Sequence, residues 1–373
     1  MMEGHATAEG TLRYSERFAK LRDAGHFRQR AELRAASELW FPSIGLGTYL
    51  GDPDDASDQM YEQSIETALR HGINLLDTAI NYRHQRSERN IGAALRRVVE
   101  AGEIFRDEVI VCSKAGFLAF DGAVPADPSE YFVREYVKPG IFKRSDLAGR
   151  MHCMTPAYLE NQLERSRRNL GLTTIDVYYI HNPESQLADL TAEEFRGRLT
   201  AAFEAMEKAV ASGKIRWYGI ASWNAFRVPE PEQGFLSLEE CVRAAEHAGG
   251  KHHHFGFVQL PFSLAMPEAH AATVQNSRKE YVSLFEAAAR HGIAVIGSAS
   301  LYQGQLAQNL PVSIQQRIGM KTDAQRALQF ARSAPGLLTA LVGMGRSSHV
   351  LENIHVAEVS PMAADKWKGL FTV

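Results

Sequence analysis

Short apolar runs recur along this chain, and the stretches between them place their apolar residues at helical spacing, so two rhythms alternate from about residue 43 onward. The runs predict strands near 43–48, 73–77, 108–113, 175–180, 215–221, 256–261, 293–298 and 338–343. Helices are expected between them, near 57–71, 87–101, 156–171, 192–212, 237–248, 277–291 and 322–333. Glycine punctuates the helix ends: His71-Gly72, Leu170-Gly171, Ser212-Gly213 and His291-Gly292 each put one where a left-handed cap is wanted. Alternation of this kind argues for parallel βαβ units, and eight repeats of it predict an α/β fold closed as a (β/α)8 TIM barrel rather than an open doubly wound sheet. No linker or low-complexity tract divides the chain. A single barrel is therefore expected over 40–373, with residues 1–39 as a charged, helix-compatible extension packed outside it or partly disordered.

One strand-loop-helix passage stands out. Ile73 to Leu76 is an apolar run fit for a strand buried on both faces, and Ser87-Glu88 reads as the N-terminus of the next helix, ahead of apolar positions 91, 94, 95 and 98. Asp77 and Tyr82 then fall just past the carboxyl end of the strand, where a turn needs neither an acid nor a phenol but a site on the barrel rim can use both. The rhythm breaks once. About forty residues separate Lys114 from Pro156, against the 2–6 of an ordinary connection. This stretch carries Phe117, Phe120, Tyr131, Phe132, Tyr136, Phe142 and Met151, so it is expected to cover the carboxyl face and wall an apolar pocket.

Composition narrows the class. With 45% apolar and 23% charged residues and a net charge of -3, the chain is a globular protein with ample core, and nothing suggests nucleic acid or anionic membrane as a partner. Neither a signal-peptide core nor an apolar run long enough to span a bilayer is present, which predicts a cytoplasmic protein. Three cysteines, Cys112, Cys153 and Cys241, lack the spacing of a disulfide framework or a zinc site and are expected as reduced thiols. His252-His253-His254 precedes a strand on the amino-terminal face and reads as a loop run, so no metal is expected. No H-E-x-x-H, G-x-S-x-G or P-loop points to hydrolysis or phosphoryl transfer.

The passage around Asp77 resembles the signature of the aldo-keto reductases, NAD(P)H-dependent carbonyl reductases on a (β/α)8 barrel, and the likeness runs over about 43–357. Four residues match the catalytic tetrad of that family: Asp77 and Tyr82 in Asp77-Thr78-Ala79-Ile80-Asn81-Tyr82, Lys114 at the end of Val109-Ile-Val-Cys-Ser-Lys114, and His181 in Tyr178-Tyr-Ile-His181. The resemblance implies reduction of an aldehyde or ketone, with a small carbonyl compound as the substrate partner. A phenol is a weak acid at neutral pH, so Lys114 within ~4 Å is expected to favour phenolate by on the order of 4 kcal/mol, with Asp77 keeping Lys114 charged. His181 would orient the carbonyl by a hydrogen bond.

Cofactor contacts follow partly from the residues and partly from the likeness. Leu341-Val-Gly343-Met-Gly345-Arg346-Ser347-Ser348 leads a strand into a Ser-capped helix over 347–357, an arrangement that offers free N–H groups and a cation to an anion. The resemblance places the adenosine phosphate there, matches Glu352-Asn353 to an adenine-contacting pair, and matches Gln259 to the residue beneath the nicotinamide amide. The Ser-Asn pair that grips this amide corresponds to Ala221-Ser222 or to Ser222 and Asn224 around Trp223. The stacking aromatic falls at Ser298, in a stretch ending at Leu301, so another side chain such as Trp223 would hold the ring; the usual 2′-phosphate arginine aligns with His349, leaving Arg346 as the nearest cation. NADP is expected over NAD. Two other readings use the same residues: a cofactor-binding redox sensor or regulatory protein, and a sugar or alcohol dehydrogenase working in the oxidative direction.

Overall fold

A computed structural model describes residues 1–371; the last two residues of the expected 40–373 unit lie outside it. Eight parallel strands close on themselves: β1 (Ile44–Gly47), β2 (Leu75–Asp77), β3 (Ile110–Ala115), β4 (Ile175–His181), β5 (Ile215–Ala221), β6 (Phe255–Pro261), β7 (Ala294–Ser298) and β8 (Leu337–Gly343). Each pairs with its neighbour in sequence, and β8 pairs with β1 to complete the ring. Around it run α1 (Asp55–Arg70), α2 (Arg86–Glu100), α3 (Pro156–Leu170), α4 (Ala192–Ala211), α5 (Leu238–Gly249), α6 (Leu284–His291), α7 (Asp323–Arg332) and α8 (Ser347–Ile354). Among the described residues no helix is long and apolar enough to cross a membrane.

The two faces of the strands build two cores. Outward residues such as Leu76, Val111, Tyr178 and Ile180 pack against the helices, while Leu75, Cys112, Val177, Tyr179, Phe257, Ile296 and Leu341 fill the barrel interior. Residues 1–39 do more than lie against the outside. Ala6, Ala35, Ala36 and Leu39 belong to the interior core, and a Cβ on Gly256 would meet the side chain of Ala35 at 2.1 Å. This segment thus plugs the amino-terminal end of the barrel, where otherwise Trp217 and Phe257 would face water. A helix at Ala8–Arg17 anchors it, with Tyr14 donating to the Leu69 carbonyl at 2.7 Å and Arg13 paired to Asp107 and Glu108.

Three local expectations give way. Residues 277–291 do not form one helix: Gln275–Ser277 and Glu280–Val282 make a hairpin whose turn residues Arg278 and Lys279 sit at φ 53° and 69°, and α6 begins only after Ser283 caps it. Ser87 does not cap α2. Its hydroxyl donates to the Thr48 carbonyl, and Glu88 is fully buried, accepting from Ser113 and Asn169, because this end of α2 is pressed against the barrel. Helix α8 has Arg346 rather than a serine at its N-cap, with no side-chain cap, and stops at Ile354 before a short turn over His355–Glu358.

The connection after β3 folds on itself. Leu118, Tyr131, Tyr136, Phe142 and Cys153 form a separate cluster with Tyr158 of α3, and Phe120 stacks on Phe132 at 4.9 Å. Of the seven large apolar side chains expected to wall a pocket, Phe117 alone lines the cleft at the carboxyl rim, and Met151 is exposed. The others satisfy the drive to bury apolar surface among themselves.

Candidate active site

Period-two geometry gathers the central residues. Leu75 and Asp77 on β2, Cys112 and Lys114 on β3, Tyr179 and His181 on β4, and Phe257 and Gln259 on β6 alternate inward, so the second of each pair arrives at the carboxyl rim. Lys114 Nζ donates to Asp77 Oδ1 at 2.5 Å and to the Thr78 carbonyl at 2.8 Å. The other Asp77 oxygen accepts from Gln259 Nε2 at 2.7 Å. Tyr82 enters from the turn Tyr82–Gln85, and Lys114 Nζ lies 4.9 Å from the centre of its ring. That turn holds Arg83, His84 and Gln85 at positive φ, fixed by Arg83 bonds to Asp58 and Asn90. The His181 ring stands edge-on to Tyr82 at 5.8 Å and to Phe117 at 5.2 Å.

Burial sets the protonation states. Although burial alone would lower Lys114, the charge and hydrogen bond of Asp77 hold it above its ordinary value, as a charged amine. For Tyr82 the balance runs against the sequence-based expectation: burial raises the phenol and Lys114 offsets this only in part, because its charge is shared with Asp77, whose carboxylate itself opposes phenolate. Tyr82 is therefore protonated at neutral pH. Burial, then Lys114 and His152, push His181 well below its ordinary value, which leaves a neutral imidazole. Its Nδ1 is buried without a protein partner.

A cleft of about 670 Å3 opens over these residues and extends along the rim. At one end it is walled by Tyr49, Leu50, Tyr82, Phe117 and Trp223; at the other it reaches Gly343, His349, Glu352 and Asn353. Ser222, Gln259, Ser298 and Leu301 line it between the ends. Ser222 is already bonded, donating to Glu184 and accepting from the Ala225 N–H. Asn224 lies outside the cleft lining and accepts from Arg227, while Trp223 stands 41% exposed at the mouth. Gly345 and Arg346 also lie outside the lining: Gly345 backs onto the Tyr61 ring, and Arg346 is exposed with no ion pair among the described residues. Glu352 accepts from Thr322. Ser300 Oγ and Asn353 Oδ1, both in cleft-lining residues, are buried without a protein partner, so the cleft fits a ligand that carries donors and acceptors along its length.

Several contributors carried no signal in the pattern. His152, from the long connection, donates from Nε2 to the His181 main-chain carbonyl, and Gln186 donates to its Nδ1. Arg198 in turn holds the Gln186 side-chain oxygen at 2.6 Å. Glu184, half-buried beside Ser222 and Trp223, is equally silent; a polar residue after a strand-end His-Asn-Pro is the one hint the chain offers. All three cysteines are free and buried, and burial pushes the Cys153 thiol up, away from reactivity.

Known proteins bear on this geometry. The chain is 30% identical over 190 residues to D-threo-aldose 1-dehydrogenase of a Pseudomonas species, an alignment that covers 50% of this chain and 52% of that protein. It thus spans about half the length of that curated relative. An uncharacterised oxidoreductase of Bacillus subtilis, YqkF, is 28% identical over 361 residues, covering 90% of this chain and 93% of the relative. In fold the chain is similar to an aldo/keto reductase from Klebsiella pneumoniae solved with NADP and acetate, with a TM-score of 0.58 and 22% identity, covering 91% of this chain and 94% of the other. The family model for aldo/keto reductases matches residues 43–312, which include β1 to β7 and every strand end that brings a side chain to the Lys114 centre. By this match the chain belongs to the aldo/keto reductase family.

Proposed function

We propose that the protein reduces an aldehyde or ketone to an alcohol with NADPH, the proton coming from Tyr82. The observation that carries this is Lys114, buried and charged behind Asp77 and the Tyr82 ring, which line the cleft. When bound, the dihydronicotinamide would supply hydride to the carbonyl carbon. Ser222, Gln259, Ser298 and Leu301 would hold its ring region, and Gly343, Gly345, Arg346, Glu352 and Asn353 its adenosine end, with Asn224 able to join only if Arg227 releases it. Gln259 would have to share its amide between Asp77 and the ligand.

On the protein side, each residue then has a stated task. His181, neutral, donates a hydrogen bond to the substrate oxygen and fixes its approach. Tyr82 gives its proton as negative charge develops on that oxygen, and the phenolate left behind is stabilised by Lys114. Asp77 keeps Lys114 charged and in place, since a lone ammonium so buried would lose its proton. The apolar walls at Tyr49, Leu50, Phe117 and Trp223 favour aromatic or medium-chain aldehydes. Tyr82→Phe tests the reading: reduction should fall by about 10²–10⁴-fold while NADPH binding persists. An active Phe variant overturns it.

The likeness to an aldose dehydrogenase favours a second reading, oxidation of a sugar or alcohol by the same residues in reverse. Comparing initial rates with NADPH plus aldehyde and with NADP plus aldose decides the direction.

A further inference from the structure

A second cavity, of about 320 Å3, lies at the amino-terminal end of the barrel, across the molecule from the catalytic cleft. Arg34 and Glu38 reach it from the N-terminal plug, Arg216 and Trp217 from the start of β5, and His253 from the turn before β6. The Arg216 guanidinium lies 5.5 Å from the centre of the Trp217 ring and is paired with no carboxylate among the described residues. The carboxylate that could compete, Glu207, is engaged by the ring and the main-chain N–H of His254. Glu38 is exposed and leaves the lining with a surplus of positive charge.

His253 gives the cavity a direction. Its ring is 3% exposed and Arg34 Nη1 bonds to its Nε2. A guanidinium only donates, so Nε2 must be the acceptor and the proton of the neutral imidazole must sit on Nδ1. Burial and Arg34 together lower this histidine to about 4, in keeping with a neutral ring. Nδ1 is buried and has no partner in the protein. A buried N–H donor left unmatched is costly, and here it lies in a residue lining a cavity with two guanidiniums. A metal does not answer the need, because no group of three metal-ligating side chains exists among the described residues and a protonated Nδ1 cannot coordinate.

We propose that this cavity binds a small oxyanion, a phosphate or a carboxylate, through Arg34 and Arg216, with the Nδ1–H of His253 joining as its ring turns toward the ion. Such a ligand ties the N-terminal plug to β5 and β6, so binding strengthens the closure of the barrel floor.

The test uses the whole chain with NADPH present at saturation, so that the cofactor part of the cleft is filled and Arg216→Ala separates the response of this cavity from binding at the substrate end. Histidine side-chain 15N spectra and thermal unfolding are followed while inorganic phosphate is added in one arm and acetate in another, each against sodium chloride at matched ionic strength. Saturable movement of the His253 Nδ1 resonance and a rise in Tm beyond the chloride control are expected in at least one arm, and the arm that saturates identifies the ligand chemistry. Arg216→Ala, an exposed position remote from the cleft, should weaken that response tenfold or more and leave the reduction rate unchanged. Absence of a saturable response in both arms, or an equal response in wild type and Arg216→Ala, overturns the proposal.

Discussion

The imidazole of His152 donates its Nε2–H to the main-chain carbonyl of His181 at 2.7 Å, although the two residues come from different segments of the chain. Gln186 can only donate to His152 Nδ1, which fixes the tautomer, and Arg198 holds Gln186 from the far side. Gly116 permits the approach: a Cβ there would meet the His181 carbonyl at 2.4 Å and His152 Nε2 at 2.6 Å. The position of the His181 ring thus depends on a residue outside the barrel strands. His152→Ala should lower kcat/KM by on the order of 10- to 100-fold through misplacement of His181, with NADPH affinity unchanged. His152→Gln, which retains a donor, should recover part of the loss. Parallel loss of cofactor binding, or no recovery with glutamine, would assign His152 to general stability instead.

In the proposed reading, Arg346 is the residue that would set cofactor choice. It is exposed at the head of α8, while His349 and Glu352 line the cleft. If Arg346 swings onto a 2′-phosphate, its charge acts through solvent and the gain is modest, about 1–2 kcal/mol or five- to thirtyfold. Arg346→Ala should weaken NADPH by that factor and leave NADH unchanged, and the difference should shrink with salt. Equal affinities of the two cofactors in the unmutated protein would contradict this.

Much of this site is legible along the chain because it rests on regular structure. Asp77, Lys114 and His181 each close an apolar run, Gln259 interrupts one near its carboxyl end, and strand periodicity alone turns them to the same side. His152 has no such period to announce it, since its place depends on how an irregular connection folds over the rim. The hairpin at 275–282 was hidden for a different reason: its turn is Arg278-Lys279, without the Gly or Asn that marks such turns, so positive φ falls on residues that read as helix formers. Nor does spacing reveal the proton affinity of Tyr82, which burial decides against the nearby charge.

Acid should unfold the protein through its buried histidines. His26 is fully buried, donating from Nε2 to the Gly72 carbonyl and accepting at Nδ1 from Ser43, and burial with Arg332 lowers it to about 3. In the unfolded chain a histidine takes up its proton near 6.5, so the unfolded state binds protons first and stability falls as pH drops from 6.5 toward 3. At pH 5 this group alone contributes a loss of about 2 kcal/mol relative to pH 7.5. His152, lowered to about 4, acts in the same sense. Urea midpoints at the two pH values measure the slope, and His26→Gln should flatten it even if the variant is less stable at pH 7.5.

Substrate preference separates the two roles played by the connection after β3. Phe117 packs its edge against His152 and His181, both at 5.2 Å, and lines the cleft, whereas Phe132 stacks on Phe120 within the separate cluster. Removing the Phe117 ring deletes a wall that only a large substrate touches, so Phe117→Ala should raise KM for an aromatic aldehyde about tenfold more than for a short aliphatic one, as expected when 1–2 kcal/mol of apolar contact is lost. Phe132→Ala removes a similar ring from a place no substrate reaches. It should lower stability by about 1–3 kcal/mol and leave the ratio of the two KM values as in the wild type. The pair of variants therefore distinguishes a loop that selects substrates from one that merely packs. If Phe132→Ala changed the ratio as much as Phe117→Ala, the cluster would be shaping the cleft through the backbone, and the assignment of selectivity to the Phe117 ring would fail.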